Sequence, residues 1–511
     1  MRNIIPGAAL ALPLAALALL PSAVSAQSAP APMQAATSAA KDAAERQLLA
    51  IAQMDDAGPK LNAVIATNPD APAQAEAAEK ARLPLGGMTL LVKDNVETKD
   101  MPTTAGSLAL KDNNTGRDAP LVARLRDAGG VILGKTNLSE WANIRSSGST
   151  SGWSAVGGQT RNPHATDRNT CGSSSGSGAA VAAGFAWAAI GTETDGSITC
   201  PASINGIVGF KPTVGFVSRT HVVPISHSQD TAGPMARSSY VAAMIMNAIA
   251  GSDPADPATA EADARKVDFT QGMLDTSLKG VRFGVMRKQV GSFAPVTELF
   301  EKALEDLRNA GAELVEIEYQ DPESMGADEF TVLLFELRED LGTYLTGSPA
   351  DIPVRSLADT IAFNNANAKD ELRFFNQDIF EMAEATTDRE AYEAARANSL
   401  KLAGKEGIDR LLAENNVSFL IAPTTGPAWP IDLIYGDDYP GSIGAGSLAA
   451  IAGYPHLSVP MGSIEGLPVG LSIMGAKWND HEVLKMGAAY ERARTAELPT
   501  PSFKPWEPAD D

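Results

Sequence analysis

The chain has 511 residues, and its 62 Asp and Glu residues outnumber 41 Lys and Arg residues, which gives a formal net charge of −21. Nucleic acids are bound mainly through cationic side chains that replace counterions on phosphates, so we expect no nucleic-acid partner. The two cysteines, Cys171 and Cys200, exclude a disulfide-rich scaffold and a four-cysteine metal site. The five histidines lack the helical spacing of a zinc protease, and the residue pattern points to no metal or organic cofactor.

The first 26 residues have the organisation of a signal peptide. Arg2 supplies positive charge, residues 4–20 are apolar apart from two prolines and a glycine, and residues 24–26 offer small side chains for cleavage. A retained membrane anchor is the alternative, but the prolines and the short apolar core disfavour it. We therefore expect a periplasmic or secreted protein that has no membrane contact once residues 1–26 are removed.

The rest of the chain predicts one large domain. Residues 27–40 are rich in Ala, Ser, Pro and Gln, which predicts a loose lead-in to a domain over residues 41–505. Apolar runs and helical spacings alternate along that domain, and this order is typical of an α/β fold. The predicted helices are Ala43–Met54, Leu121–Leu125, Gly178–Ile190 and Val296–Leu307, and the predicted strands are Leu90–Val92, Val131–Leu133, Val281–Val285 and Leu314–Ile317. Residues 251–257 have the composition of a linker.

Two short motifs suggest other chemistries. Residues 129–136 match the letters of a phosphate-binding loop, but their variable positions form a predicted strand that follows a helix, which is the wrong order. Residues 172–176 match the G-x-S-x-G elbow of α/β-hydrolases, but polar residues precede them where a strand is required. Candidate bases for that elbow are His221, His227 and His456, and nothing singles one of them out.

A stronger constellation joins one lysine and two serines. Lys93 ends an apolar strand, Ser173 lies in a Gly/Ser tract, and Ser197 follows it by twenty-four residues. A lone serine of this kind is usually turn filler, but these residues and their neighbours resemble the amidase signature family from about residue 43 to 494. The other blocks that carry the resemblance are residues 91–96, 103–107, 134–141, 206–213 and 466–471.

The chain departs from the family pattern at two places. Cys171 and Ser175 replace glycines of the serine tract, and residues 193–195 read Glu-Thr-Asp where the family has D-x-G. With residues 199–202 and 225–235, these departures resemble the bacterial peptide amidase branch of the family. A carboxylate at Asp195 would be unfavourable beside an oxyanion hole unless its side chain points away.

The resemblance implies a fold and a set of roles. The fold is a single large α/β domain with a mixed sheet flanked by helices on both faces. Ser197 is the implied nucleophile, and Lys93 is the implied base, acting through Ser173 after a cis peptide bond from Gly172. A lysine can be a base only when it is neutral, and burial favours the neutral form. The implied oxyanion hole consists of the backbone N–H groups of Thr194, Asp195, Gly196 and Ser197.

These roles predict an exported serine amidohydrolase for linear carboxamides. The most specific version hydrolyses the C-terminal amide of peptides, so the expected partner is a small-molecule or short peptide amide. The alternatives are an aryl or alkyl acylamidase or esterase of the same family and, more remotely, a binding protein without catalysis. Family analogy suggests Trp153, Phe363 and Trp429 as pocket residues, although packing is the favoured interpretation for each. Cys171 and Cys200 could form a disulfide or remain buried thiols.

Overall fold

An eleven-stranded mixed sheet runs through the part of the chain described by this computed structural model, residues 38–439 and 443–508. The predicted signal peptide and most of the predicted lead-in lie outside the described residues. The strands are β1 (Val64–Thr67), β2 (Thr89–Lys93), β3 (Val131–Thr136), β4 (Trp153–Ser154), β5 (Gly158–Gln159), β6 (Ala188–Glu193), β7 (Val208–Lys211), β8 (Thr231–Ala236), β9 (Arg282–Met286), β10 (Glu313–Ile317), β11 (Phe419–Pro423), β12 (His456–Ile464) and β13 (Leu467–Met474).

The helices lie between and after these strands. They are α1 (Ala39–Ala50), α2 (Ala71–Lys80), α3 (Pro120–Asp127), α4 (Ser175–Ala183), α5 (Thr199–Ile204), α6 (Ser239–Ile249), α7 (Ala262–Arg265), α8 (Ala294–Asn309), α9 (Glu323–Gly347), α10 (Leu357–Ala366), α11 (Ala368–Glu371), α12 (Asp378–Ala385), α13 (Arg389–Leu400), α14 (Arg410–Glu414), α15 (Gly446–Ala452) and α16 (Asp480–Ala493). In the described part of the chain, none of these helices is long and apolar enough to cross a bilayer.

The strand order is β1-β3-β2-β6-β8-β7-β12-β13-β11-β9-β10, and β4 and β5 form a separate two-stranded ribbon. The strands β3, β2 and β6 are parallel neighbours, as are β10, β9 and β11. The antiparallel hairpin β12–β13 lies between these two sets, because β12 pairs with β7 and β13 pairs with β11. The sheet is therefore mixed, as the sequence predicted.

Helices cover both faces of the sheet. Side chains alternate between the two faces along a strand, and in β2 the side chains of Leu90 and Val92 enter one hydrophobic core while Leu91 enters another. The first core contains residues of α3, α6, α8 and α16, and the second contains residues of α1, α2 and α4. Lys93 follows in the same strand and is brought to its carboxyl end, between β3 and β6.

Three sequence predictions change in detail. The helix predicted over Gly178–Ile190 is wrong in its second half, because Gly184 ends α4 in a left-handed conformation with φ +80° and β6 begins at Ala188. An apolar run alone does not separate a buried helix from a buried strand. The first helix begins at Ala39 and is capped by Ser38, whose Oγ accepts a hydrogen bond from the Lys41 N–H. The predicted linker at residues 251–257 is a loop within one compact unit.

Candidate active site

The Lys93 side chain is fully buried among uncharged partners. Its Nζ lies 2.7 Å from Ser173 Oγ, 2.8 Å from Thr192 Oγ1 and 3.2 Å from the Thr192 carbonyl oxygen. Burial lowers the pKa of Lys93 to about 7, an effect that the more distant charges of Asp230 and Glu193 partly oppose. A large fraction of the lysine is therefore neutral at neutral pH and can accept a proton.

The serine tract forms a tight loop ahead of α4. The peptide bond between Gly172 and Ser173 is cis, and the Ser139 N–H donates to the Ser173 carbonyl at 3.1 Å. A β-carbon at Gly172 would lie 2.1 Å from Ser139 Oγ, so a larger residue at this position would have to displace Ser139. One residue further, the Ser174 N–H donates to the Ser197 carbonyl at 3.2 Å. The loop that presents Ser173 to Lys93 is thus bonded to the turn that carries Ser197.

Ser197 ends the turn between β6 and α5. Gly196 has φ +78°, a left-handed conformation that glycine adopts without strain. The carboxylate of Glu193 accepts hydrogen bonds from the N–H groups of Ile198 at 2.7 Å and Thr199 at 2.9 Å. These bonds satisfy backbone donors at the start of α5, directly after Ser197.

A cavity of about 400 Å³ opens beside this turn. Residues 194–197, which include every predicted oxyanion-hole position, line it together with Gly172. The Asp195 side chain turns towards α15, where Ser447 Oγ donates to its Oδ2 at 2.8 Å. The Asp195 carboxyl is thereby bonded to a helix outside the turn.

The cavity walls contain residues that the sequence did not indicate. Among the described residues that line it are Thr424, Asp437, Tyr439 and Ser447. All of them lie more than 200 residues beyond Ser197 and belong to no recognisable motif, so no local signal could have found them. They reach the site because β11 and the hairpin β12–β13 place the C-terminal part of the chain beside it.

Of the three aromatic candidates, one lines the cavity. Trp429 lies in the wall, and its Nε1–H donates to Asp437 Oδ1 at 3.1 Å. Trp153 instead packs edge-on against Phe374 and Phe375. Phe363 packs against a hydrophobic cluster that contains residues of α9, α10 and α12. For these last two residues, the packing interpretation fits the structure.

Cys171 and Cys200 form a disulfide with Cα atoms 6.0 Å apart. The bond connects the serine loop to the second residue of α5, and both cysteines line the cavity. The sequence left open whether these residues were paired. The covalent link closes a loop that contains both Ser173 and Ser197.

Lys135 of the phosphate-loop match and two of the candidate histidines of the G-x-S-x-G elbow make other contacts. In β3, Lys135 Nζ lies 2.9 Å from Asp94 Oδ1 and donates to Thr103 Oγ1 at 2.8 Å, so its contacts are structural. His456 lines the cavity but its Nε2 contacts Ser472 Oγ at 2.7 Å, and burial lowers its pKa to about 3. His227 contacts Asp340 in α9 at 2.9 Å. These contacts give neither histidine a serine of the Gly/Ser tract as partner.

The site thus combines a fully buried lysine bonded to Ser173 with a second serine, Ser197, beside a cavity. The family model for amidases matches residues 48–484 of the chain. The chain therefore belongs to the amidase signature family, and it is an enzyme that hydrolyses carbon–nitrogen bonds of amides.

Similar proteins span nearly the whole chain. The crystal structure of a peptide amidase from Stenotrophomonas maltophilia is 48% identical, with a TM-score of 0.86 and coverage of 91% of this chain and 95% of that one. A probable amidase of Arabidopsis thaliana is 38% identical over 91% of this chain and 88% of its own length. One component of the glutamyl-tRNA(Gln) amidotransferase of Pseudothermotoga lettingae is 34% identical over 81% of this chain and 87% of its own length.

Proposed function

We propose that this enzyme is an exported peptide amidase that hydrolyses the C-terminal carboxamide of short peptides and releases ammonia through an acyl-enzyme on Ser197. The observation that carries the proposal is the 2.7 Å contact between Lys93 Nζ and Ser173 Oγ, made where none of the charged residues that the structure describes lies at hydrogen-bond distance from the lysine. The similarity to a solved peptide amidase over nine-tenths of the chain supports the substrate class.

The reaction begins with a proton relay. A serine hydroxyl is a weak nucleophile until a base accepts its proton. Neutral Lys93 accepts the proton of Ser173, and Ser173 accepts that of Ser197 as Ser197 attacks the amide carbonyl carbon. General-base assistance of this kind contributes about 10²–10⁴-fold to the rate.

The turn before the nucleophile stabilises the charge that develops. The backbone N–H groups of Thr194, Asp195, Gly196 and Ser197 face the carbonyl oxygen as it becomes an oxyanion. One such donor contributes about 3–4 kcal/mol at the transition state. Ser173 then returns a proton to the departing ammonia, and water, deprotonated by the same relay, hydrolyses the acyl-enzyme.

The cavity favours an uncharged chain end. Among the described residues that line it, two are carboxylates, Asp195 and Asp437, and none is Lys or Arg. A peptide that ends in a carboxylate meets like charge there, whereas a carboxamide does not. The cavity volume of about 400 Å³ is within the range of small-molecule sites. This supports a peptide amide as substrate and rapid departure of the peptide acid.

Two features support export. Residues 1–26 carry the sequence pattern of a signal peptide. The Cys171–Cys200 disulfide, which lies at the active site, is a bond that persists in oxidising compartments such as the periplasm or the extracellular space.

An aryl or alkyl acylamidase or esterase is the second candidate function. The observation in its favour is the aromatic pair of Trp429 and Tyr439, whose ring centroids lie 4.8 Å apart at the cavity wall. Aromatic side chains offer a surface that an aryl group packs against well.

A substrate panel separates the two functions. Purified protein is incubated with N-blocked dipeptide amides, anilides and aryl esters, and ammonia and acid release are followed. We expect the amides to gain about 1 Da without fragments, because the acyl-enzyme route replaces only an amide by an acid. Turnover of anilides or esters with untouched peptide amides would identify an acylamidase or esterase instead.

Two serine variants test the nucleophile. Ser197→Ala should be inactive and should not react with a fluorophosphonate probe, whereas the exposed Ser324→Ala on α9 should behave as wild type. Retention of more than a few per cent of the activity by Ser197→Ala, or probe attachment to another serine, would refute the assignment of Ser197.

A further inference from the structure

One wall of the cavity beside Ser197 takes no part in the proposed reaction steps. Trp429, Asp437 and Tyr439 lie in this wall, and all three belong to the segment between β11 and α15. The leaving group of the proposed reaction is ammonia, which is small, so most of the cavity volume of about 400 Å³ is left for the acyl part of the substrate. These three side chains are therefore placed to contact the acyl part.

Three neutral groups hold the Asp437 carboxylate in the wall. Its Oδ1 accepts hydrogen bonds from Asn169 Nδ2 at 3.0 Å and Trp429 Nε1 at 3.1 Å, and its Oδ2 accepts one from the Ser151 N–H at 3.0 Å. The Cys171 N–H donates to Asn169 Oδ1 at 2.8 Å, so the carboxylate is also linked to the serine loop. Asp437 is thus fixed in position by partners on three sides of its own segment and the loop.

The charge of Asp437 is not offset by a cation. All of its hydrogen-bond partners are uncharged, and none of the described residues that line the cavity is Lys or Arg. Burial raises the pKa of Asp437, because it disfavours the charged form, and the three donors oppose that effect. Neutral donors stabilise a carboxylate without cancelling its net charge, so a cation in the cavity is attracted to it.

Two aromatic rings complete this wall. Trp429 donates to the carboxylate, and its ring centroid lies 4.8 Å from that of Tyr439. Tyr439 is 52% exposed, so part of its ring is open to a ligand. The face of an aromatic ring attracts a cation, as a carboxylate does. A guanidinium group suits this combination best, because it can stack on a ring while it donates hydrogen bonds to a carboxylate.

We propose that the wall formed by Trp429, Asp437 and Tyr439 is a subsite for a cationic side chain, and that the preferred substrates are amides of peptides with arginine or lysine in one of their last two residues. The inference rests on the proposed function, because that function makes the substrate a peptide amide. Asp437 determines the specificity by contact, and the formal net charge of −21 attracts such substrates from a distance.

The test compares blocked dipeptide amides that differ only in charge. Arginine and citrulline have side chains of nearly the same shape, but only arginine is cationic. Each is placed beside alanine, first at the last position and then at the position before it, and kcat/KM is measured by ammonia release. At one of the two positions, we expect kcat/KM to be about tenfold higher for arginine, the low end for a hydrogen bond to a charged group. Equal values at both positions would overturn the proposal.

Three variants assign the preference to this wall. Asp437→Asn should lower kcat/KM about tenfold for the arginine amide and change it little for the citrulline amide. Tyr439→Leu keeps the carboxylate and should reduce the preference by a smaller factor, about threefold. Asp275→Asn removes the same unit of charge at an exposed position outside the cavity, and it should keep the full preference.

An equal loss for both amides in Asp437→Asn would show that Asp437 only holds the wall together, and would contradict the proposal. If Asp437→Asn does not fold, as judged by circular dichroism, Tyr439→Leu decides, because an unchanged preference in that variant also contradicts the proposal.

Failure of the proposed function is recognised separately. Calorimetric titration of the two amides into Ser197→Ala measures binding without turnover. Tighter binding of the arginine amide without hydrolysis by wild type would retain the subsite and reject the peptide amidase. Hydrolysis of both amides with equal kcat/KM and equal affinity would retain the peptide amidase and reject the subsite. Binding of neither amide would reject the subsite as well.

Discussion

Two fully buried lysines lie on neighbouring parallel strands and have opposite surroundings. Lys93 ends β2, and its partners at hydrogen-bond distance are two hydroxyl groups and a carbonyl. Lys135 lies on β3 beside β2, and the Asp94 carboxylate is 2.9 Å from its ammonium group. Both side chains are 0% exposed.

The difference shows that burial alone does not decide what a lysine does. With no carboxylate at hydrogen-bond distance among the described residues, burial disfavours the charged form of Lys93, which suits it to the proposed role of base. With a carboxylate in contact, Lys135 forms an ion pair that ties the segment of residues 94–104 to the sheet, since Asp94 also accepts hydrogen bonds from the Thr104 N–H and hydroxyl. Lys93 is therefore suited to the proposed chemistry, whereas Lys135 has a structural role.

Substitution of Lys93 by arginine should give the largest effect. Arginine keeps the positive charge but cannot lose its proton in a protein. We expect Lys93→Arg to lower kcat by about 10²–10⁴-fold, the contribution of a general base, and to be nearly as inactive as Lys93→Ala. Steady-state kinetics with ammonia detection measures this. Substantial activity in the arginine variant would mean that Lys93 acts only through its charge.

A matched pair of substitutions should separate the two lysines by stability. Lys135→Met leaves Asp94 buried and unpaired, which should cost about 3–5 kcal/mol of unfolding free energy. Burial lowers the pKa of Lys93 from 10.5 to about 7. The cost of burying the charged lysine therefore destabilises the fold fully below pH 7, and this cost declines as the pH rises towards 10.5. Lys93→Met should therefore lose no stability at pH 6.

Urea unfolding of the two variants at pH 6 and pH 9 checks this contrast. Between pH 6 and pH 9 the unfolding free energy of the wild type should rise, because the cost of the buried lysine declines. Lys93→Met should lack that rise. Equal destabilisation by the two substitutions at pH 6 would show that Lys93 is also a structural cation.

Removal of the disulfide should affect the Lys93 site and spare the Lys135 site. The bond closes a loop with a sequence separation of 29 residues, and its loss should reduce the unfolding free energy by about 2–4 kcal/mol. The double variant Cys171→Ser, Cys200→Ser should also have a lower kcat, because Ser173 lies two residues from Cys171. Thiol titration of unfolded wild type with and without reductant verifies the bond. Unchanged stability and kcat in the double variant would contradict this expectation.

The smallest effect is expected at Thr192. Its Oγ1 lies 2.8 Å from Lys93 Nζ and stabilises the charged ammonium form. Thr192→Val removes that acceptor, so the pKa of Lys93 should fall further and the acid limb of kcat/KM should move below pH 7 by on the order of one pH unit. Thr192→Ser keeps the hydroxyl and should retain the wild-type limb. A shift to higher pH in the valine variant would contradict the role of this contact.

The parts of the site that the sequence could predict lie in short segments, each of which carries a local pattern of its own. The strand that ends at Lys93 was visible as an apolar run, and the serine tract carried the family resemblance. The structure places Ser173 against Lys93 and bonds the Ser197 turn to the same loop. The mixed sheet with helices on both faces was predicted correctly from the family resemblance.

The remainder depends on contacts between distant segments. Ser447 bonds Asp195, yet it lies 252 residues beyond it and has no periodic or motif signal. The helix and strand within residues 178–190 share one apolar composition, and only tertiary packing separates them. The pairing of Cys171 with Cys200 was undecided because a buried thiol and a half-cystine look the same in sequence.

The position of the hairpin β12–β13 has a consequence for the order in which the molecule assembles. Strands β1–β3 and β6–β8 come from residues 64–236, β9–β11 come from residues 282–423, and these two groups are joined within the sheet through residues 456–474. During synthesis the N-terminal segments emerge first, so a nascent chain that ends before residue 456 has two sheet fragments with unpaired edges. The cavity takes residues 194–197 from one group and Thr424 from the end of the other, so its walls are brought together across that hairpin. We therefore expect a chain cut short before residue 456 to lack the complete cavity and to be inactive.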